Sequence, residues 1–389
     1  MKNKKLTVCC IGLGTIGLPS ACFIANHGYV VYGVDNNEAL LEQLQQGNLL
    51  TCESNVADLF AKVHQHNLLL TSRPTPADIY LLVVPTTLNQ DRSPNTTKLF
   101  SVVKDITPLL KAGNLVIIES TCPIGVVAKI QKAIADKVPG VLVAYCPERI
   151  MPGNIIYELE YNARLVGADD PKASQLAKKF YQSFVKGDVV ACSTKQAEAV
   201  KLLENIYRDI NIAFANELSM AAEQYELDPH QLIELANLHP RVNILQPGVG
   251  VGGYCIQDNP WFLIADSPAS WPLSTTAREV NTAKTAWVIK KITTYMQTHG
   301  LRRIACLGAT YKANTADTRK SPALEIIHKL QQAYEVRTVD PFLQHTMSSE
   351  EAIAWAEMIV GLVPHEAFKR IAPQSYVKKH QLDFARVFA

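Results

Sequence analysis

Cys255 lies in GVGVGGYCIQDNPWF, from Gly248 to Phe262, with four glycines before it and an acid, an amide and a proline after it. A thiolate is an intrinsically strong nucleophile, and glycines let a backbone approach a small molecule closely, so the pattern could present a covalent nucleophile at the lip of a ligand loop. The same residues also suit a tight turn whose cysteine is a small buried hydrophobe. Other chemistry-bearing side chains punctuate apolar runs: Thr86 in VPTT, Thr121 in ESTCPIG and Glu148 in CPERIMPG. Taken singly, each also suits a helix cap or a turn. Lys201 and Asn205 are four residues apart in KLLENIY, which puts them on one helix face, a spacing that a solvated face shares.

A further cluster carries its own mechanism. Leu6 to Ile11 reads as a buried strand, Gly12, Gly14 and Gly17 form G-x-G-x-x-G, and Leu18 to Asn26 continues as a helix. The next apolar strand, Tyr29 to Val34, ends in Asp35, about 20 residues after the glycines, the distance at which a dinucleotide site needs an acid for the ribose hydroxyls. Gly12 makes the turn, Gly14 admits the pyrophosphate, Gly17 lets helix and strand pack, and the helix N-terminus faces the phosphates. Asp35 repels a 2′-phosphate, and Asn36 and Asn37 supply no arginine to bind one, so NAD is expected rather than NADP.

The elements that must position these residues follow an α/β pattern. Strand-like runs at Ile79 to Val84, Leu115 to Glu119 and Val141 to Tyr145 alternate with helical stretches, which predicts a doubly wound sheet with the three polar segments at its carboxyl edge. The spacing predicts helices over Ala197 to Tyr225, Pro229 to Leu238 and Thr275 to Thr298. Beyond them, RRIACLGATYKANTADTRKSPALEIIHKLQQAYEVRTVDP repeats strand, loop, helix and strand and ends in Asp340, a second nucleotide-fold-like half without a full glycine fingerprint.

Composition narrows the class. A chain of 389 residues exceeds what one core usually serves, so two or three domains are expected. A net charge of +2 with no basic stripe argues against nucleic acid or an anionic membrane as the main partner. Nine cysteines without CxxC or Cys/His spacing fit reduced thiols in a cytoplasmic protein, with neither a disulfide framework nor a metal site. The lysines and apolar run at the N-terminus are interrupted by glycines and lack an A-x-A site, so residue 1 onwards is placed in the fold.

The motifs GLGTIGLP, VPTT, ESTCPIG, YCPERIMPG, KLLENIYRDINIAFANEL, HPRVNILQPGVGVGGYCI and GATYKANTADTRKSPA occur in the order found in the UDP-sugar 6-dehydrogenases, which the chain resembles almost end to end. RVNILQPGVGVGG resembles the N-acetylmannosamine branch most. The resemblance implies an NAD-binding domain over 1–192, a central helical dimerisation and substrate region over 193–298, and a Rossmann-like UDP-binding domain over 299–389. It implies oxidation of a UDP-N-acetylhexosamine at C6 to the uronic acid, through a thiohemiacetal and then a thioester on Cys255, feeding polysaccharide or cell-envelope synthesis. Lys201 would stabilise the oxyanion at C6 with Asn205 orienting it, and Glu148 and Thr121 would handle protons and water. NAD would meet Gly12, Gly14, Thr15, Ile16 and Asp35, then Val84, Pro85, Thr86 and Thr121, with Arg319 near the pyrophosphate. The sugar nucleotide would meet Glu148, Arg149, Ile150, Lys201 and Asn205, the loop residues Arg241, Asn243, Leu245 and Gly250, and Lys312. Arg241 would reach across a homodimer.

The chain departs from the family pattern at specific places. Asn259 stands where the family has an aspartate before proline, and Asp258 lies one residue early; asparagine keeps the shape without the charge that steadies Lys201 and activates water. Tyr254 replaces a histidine, Thr15 a tyrosine, and VPTT a VPTP. Alternatives are a UDP-N-acetylglucosamine or UDP-glucose dehydrogenase, a two-electron hydroxyacid dehydrogenase of the 6-phosphogluconate type, and a UDP-sugar-binding homologue impaired in turnover.

Overall fold

The computed structural model describes residues 6–49, 53–150, 153–344 and 346–388; residues 1–5, which the sequence places in the fold, lie outside that set. Its contacts divide the chain into two compact units, one of residues 1–203 with 261–265, the other of 204–260 with 266–389.

The first unit is built on strands β1 (Thr7–Ile11), β2 (Val30–Val34), β3 (Leu68–Thr71), β4 (Ile79–Leu82), the short pair β5 (Thr87–Leu88) and β6 (Pro94–Asn95), β7 (Leu115–Ile118), β8 (Leu142–Tyr145), β9 (Arg164–Gly167) and β10 (Val189–Cys192). Eight of them form one sheet in the order β10-β9-β8-β7-β4-β1-β2-β3, parallel throughout except where β9 meets β8. β5 and β6 form a separate antiparallel hairpin. Alternate residues of β1 feed opposite faces: Val8 and Cys10 join one core, Cys9 and Ile11 the other. Both faces are therefore covered, which is why the strands read as unbroken apolar runs instead of alternating ones. The order reverses between β1 and β4, the switch point at which open α/β sheets bind ligands. β4 is shorter than expected, because from Val83 the chain turns out of the sheet into the polar segment around Thr86.

The second unit repeats the scheme with β11 (Arg303–Leu307), β12 (Glu335–Val339), β13 (Met358–Gly361) and β14 (His380–Asp383) in the parallel order β12-β11-β13-β14. Ile304 and Cys306 enter one core and Ala305 and Leu307 the other, as in β1. At the end of β12 the buried Asp340 accepts the amides of Ala309 (2.8 Å) and Thr310 (3.2 Å) and lies 3.0 Å from His365 Nε2. This counterpart of Asp35 is committed to holding its own loop.

The long helices begin earlier than the periodicity alone predicts, at Thr194–Ala221 and Pro272–Thr298. Proline at the first helical position starts the latter, since its missing N–H has no partner there in any case. The former ends in a 3₁₀ turn, Ala222–Tyr225, closed by Glu226 at positive φ. The boundary between the units falls within Thr194–Ala221, after Leu203.

Candidate active site

In the first unit the turn after β1 is fully specified. Gly12 has φ +98° and a Cβ there would lie 2.5 Å from the Val83 carbonyl; one on Gly17 would overlap the Gly12 carbonyl. Only glycines allow this approach of helix to strand. Gly14 and Thr15 are exposed at the mouth of the turn, with Ile16 half-buried. Asp35 ends β2, and its carboxylate accepts Leu13 N at 2.9 Å and Asn37 N at 3.0 Å, which orients it along the glycine turn while leaving lone pairs for two hydroxyls.

Thr86 Oγ1 donates to the Thr121 carbonyl at 2.8 Å, joining the segments that follow β4 and β7. Val84 is half-buried and Pro85 exposed beside it. The helix Val126–Ala135 that follows Thr121 is anchored by Glu198, whose carboxylate accepts Gly125 N (2.7 Å) and Val127 N (2.9 Å). Beyond β8, Glu148 keeps part of its surface open, with Ile150 N donating to its carboxylate and Lys201 Nζ donating to its carbonyl. Burial pushes the Glu148 carboxyl up to about 7; Lys201 and Arg164 pull against that, while Glu119 and Glu158 add to it. Behind it Glu119, itself raised by burial, accepts Tyr181 OH at 2.6 Å. Arg149 donates to the Ala163 carbonyl at 2.9 Å. A carboxyl group half-ionised near neutrality beside a buried lysine can exchange protons at working pH.

In the second unit Cys255 is the exposed thiol among the described cysteines; Cys192 is half-buried and the others are buried. Burial raises the Cys9 thiol to about 11 and Cys306 to about 12, which makes them inert. The exposure of Cys255 speaks against the buried-hydrophobe alternative: the residue is the second of the short helix Tyr254–Asp258 and lies at the surface, while the preceding glycines are the part of the loop that packs. A Cβ on Gly252 would lie 2.5 Å from Tyr311 Cβ, and one on Gly250 would lie 2.3 Å from Thr285 Oγ1. Their small size thus serves contact with protein, whereas the sequence pointed to contact with a ligand.

Asp258 and Asn259 are both buried. Asp258 Oδ1 pairs with Lys320 Nζ at 2.5 Å, and its Oδ2 has no hydrogen-bond partner among the described residues. Arg319 forks onto Asp317, with Nε 2.9 Å from each carboxylate oxygen, and its guanidinium lies 5.3 Å from the Tyr254 ring centre. Lys312 is half-buried, while Arg241 and Asn243 are exposed and Leu245 is half-buried in the segment leading to the glycine loop.

The helix Thr194–Ala221 carries a polar stripe that the sequence reading only began. Lys201 and Asn205 continue through Asp209, Asn216 and Ser219, and all five are buried. Asn205 Nδ2 has no hydrogen-bond partner among the described residues. The recurrence of polar residues at helical spacing, at 201, 205, 209, 216 and 219, was the available signal.

Three family models cover the chain in sequence: the NAD binding domain of the UDP-glucose/GDP-mannose dehydrogenase family over residues 6–185, its central domain over 195–283 and its UDP binding domain over 305–388. A UDP-N-acetyl-D-mannosamine dehydrogenase of Methanocaldococcus jannaschii is 40% identical, with 93% of this chain and 86% of the relative covered. An NDP-N-acetyl-D-galactosaminuronic acid dehydrogenase of Ralstonia solanacearum is 38% identical, covering 94% and 92%. The solved structure of a UDP-D-ManNAc dehydrogenase from Pyrococcus horikoshii superposes with a TM-score of 0.94 at 34% identity, over 99% of this chain and 96% of that one. The glycine turn with its acid, the second nucleotide-type sheet and the exposed cysteine therefore stand in a known succession of domains: the chain belongs to the UDP-glucose/GDP-mannose dehydrogenase family.

Proposed function

We propose that the chain oxidises C6 of a UDP-N-acetylhexosamine, UDP-N-acetylmannosamine first among them, to the uronic acid, with two NAD consumed per product. The observation that carries the reading is Cys255, exposed at the head of a packed glycine loop while the other described thiols are buried or half-buried. The named relatives support the substrate class.

NAD, held by the glycine turn and Asp35, would supply the hydride acceptor for each of the two oxidations. The cradle fits it: Gly14 is open, a ten-residue helix starts at Gly17, and Asp35 is oriented at the strand end. Cys255 adds to the aldehyde carbon left by the first oxidation, and the thiohemiacetal retains the aldehyde until the second oxidation yields a thioester. Water then cleaves the carbon–sulfur bond, releasing the acid and restoring the thiol. Lys201, with Asn205 beside it, stabilises the negative charge developing on the C6 oxygen. Asn205's buried Nδ2, without a hydrogen-bond partner among the described residues, is a donor suited to that oxygen or to water. Glu148 takes and returns the protons, with Thr121 positioning water. Thr15, Ile16, Val84, Pro85, Thr86 and Arg319 serve the cofactor, and Arg149, Ile150, Asn243, Leu245, Gly250 and Lys312 serve the sugar nucleotide.

The three-part organisation, 1–192, 193–298 and 299–389, is supported by the ranges of the family models. A homodimer, with Arg241 serving the partner's site, is supported by exposed Leu203 (42%), Tyr207 (67%) and Phe214 (52%) along one helix. Among the described residues no helix is long and apolar enough to cross a membrane. Incubation with NAD and a panel of UDP-sugars, following NADH and product mass together, tests the reading. Two NADH per uronic acid are expected from the N-acetylhexosamine; one NADH per product, or none, refutes it.

A further inference from the structure

Both ends of the Cys255 loop are tied to one buried circuit of side chains. At the near end, Asn216 Oδ1 accepts the Gly248 amide at 3.0 Å. At the far end, Arg278 NH1 donates to the carbonyls of Ile256 and Gln257, each at 3.2 Å, immediately after the cysteine. The two ends are joined through the protein: Asn216 Nδ2 donates to Asn281 Oδ1 (2.9 Å), Asn281 Nδ2 donates to Asp209 Oδ1 (2.8 Å), and Asp209 Oδ2 lies 3.1 Å from Arg278 Nε. Thr285 adds a tie in between by donating to the Val249 carbonyl at 2.9 Å. Arg278, Asn281 and Thr285 fall on one face of the helix Pro272–Thr298, and Asp209 and Asn216 on one face of Thr194–Ala221.

Asp209, Asn216, Arg278 and Asn281 are all buried. A buried ion pair contributes little net stability, since apolar residues of the same volume often serve the fold as well. What this circuit supplies is direction. The carbonyls of Ile256 and Gln257 belong to a five-residue helix too short to satisfy them internally, and Arg278 fixes where that helix, and hence its first turn with Cys255, must stand. We infer that Asp209, Asn216, Arg278 and Asn281 are positioning residues that hold the nucleophile loop by both ends; the inference rests on Cys255 being the nucleophile.

The test pairs Arg278→Met with Asp209→Leu in the full chain, so that no lone charge is left buried. Amide hydrogen exchange over residues 248–257 should quicken at least about tenfold. With UDP-N-acetylmannosamine, kcat should fall on the order of 100-fold, the scale of a misplaced reacting group, while KM for NAD stays unchanged. Arg278→Lys, which keeps the charge beside Asp209, should recover part of the loss, and it carries the test if the paired variant does not fold. Wild-type loop exchange and kcat in Arg278→Lys and in the folded pair would overturn the assignment, as would faster exchange spread evenly through residues 204–260 and 266–388. A wild-type protein that makes no NADH from any UDP-sugar would refute the proposed reaction instead, and loop exchange would still decide the circuit.

Discussion

Asp258 and Lys320 form an ion pair at 2.5 Å, and the residue beside Asp258 in the chain is the buried amide Asn259. The only carboxylate of the segment after Cys255 is thus already matched by a cation in its own unit, and adjacent residues on a helix point in different directions. Asp258 therefore does not replace the charge missing at 259. In the proposed mechanism both oxidations remain feasible, while hydrolysis of the thioester relies on Glu148 and Thr121 without the carboxylate that the family carries at position 259. Rapid mixing with NAD and substrate should give a burst of NADH and then a slower steady rate, with the acyl group found on Cys255 by intact mass. Asn259→Asp should speed the slow phase by about tenfold or more without raising the burst. A linear progress curve in both proteins contradicts this account.

Removing the thiol separates binding from turnover. Cys255→Ala should retain NAD affinity, because the cofactor cradle lies in the other unit, and should yield no uronic acid by product mass. The packing of Gly250 and Gly252 is untouched, so the melting temperature should stay within a degree or two of wild type. Normal acid formation by this variant would eliminate the covalent route.

Asp35 orders the glycine turn through Leu13 N, and in the proposed cofactor site its charge would also exclude a 2′-phosphate. Asp35→Asn keeps an oxygen for the amide and loses the charge. NAD affinity should drop by about tenfold and the preference over NADP should narrow, as titration calorimetry with both cofactors would reveal. Equal affinity of the unmodified protein for the two would remove Asp35 from the site.

The Glu148 carboxyl, raised by burial to about 7, makes a two-part pH prediction. If its ionised form takes the proton, the rate of acid formation should rise with pH through about 7. Arg164, which holds the value down, makes the sign checkable: Arg164→Gln should move that limb to higher pH. For stability, a raised acid binds its proton more tightly in the folded state, so its contribution is complete below the ordinary carboxyl value of 4.5 and is lost as pH rises through 7. Glu148→Gln should accordingly melt a few degrees above wild type at pH 8 and show no such gain at pH 4. A pH-independent difference between the two melting curves would place the titration elsewhere.

The chain by itself determined what depends on neighbours in sequence. Gly12, Gly14, Gly17 and Asp35 fall within one strand–turn–helix–strand unit, so their spacing carries their geometry, and the glycines before Cys255 mark a loop whose backbone something approaches closely. The polar stripe from Lys201 to Asn205 was legible for the same reason, since helical periodicity is local. Only the tertiary structure decided which groups meet from afar. Asn281 reaches Asp209 across 72 positions, Lys320 reaches Asp258 across 62, and Tyr181 reaches Glu119 across 62. It also decided that the glycines of the loop make room for Thr285 and Tyr311. No sequence spacing encodes such partners, because buried polar groups must be satisfied by whatever the packing of separate helices and strands brings within hydrogen-bond reach.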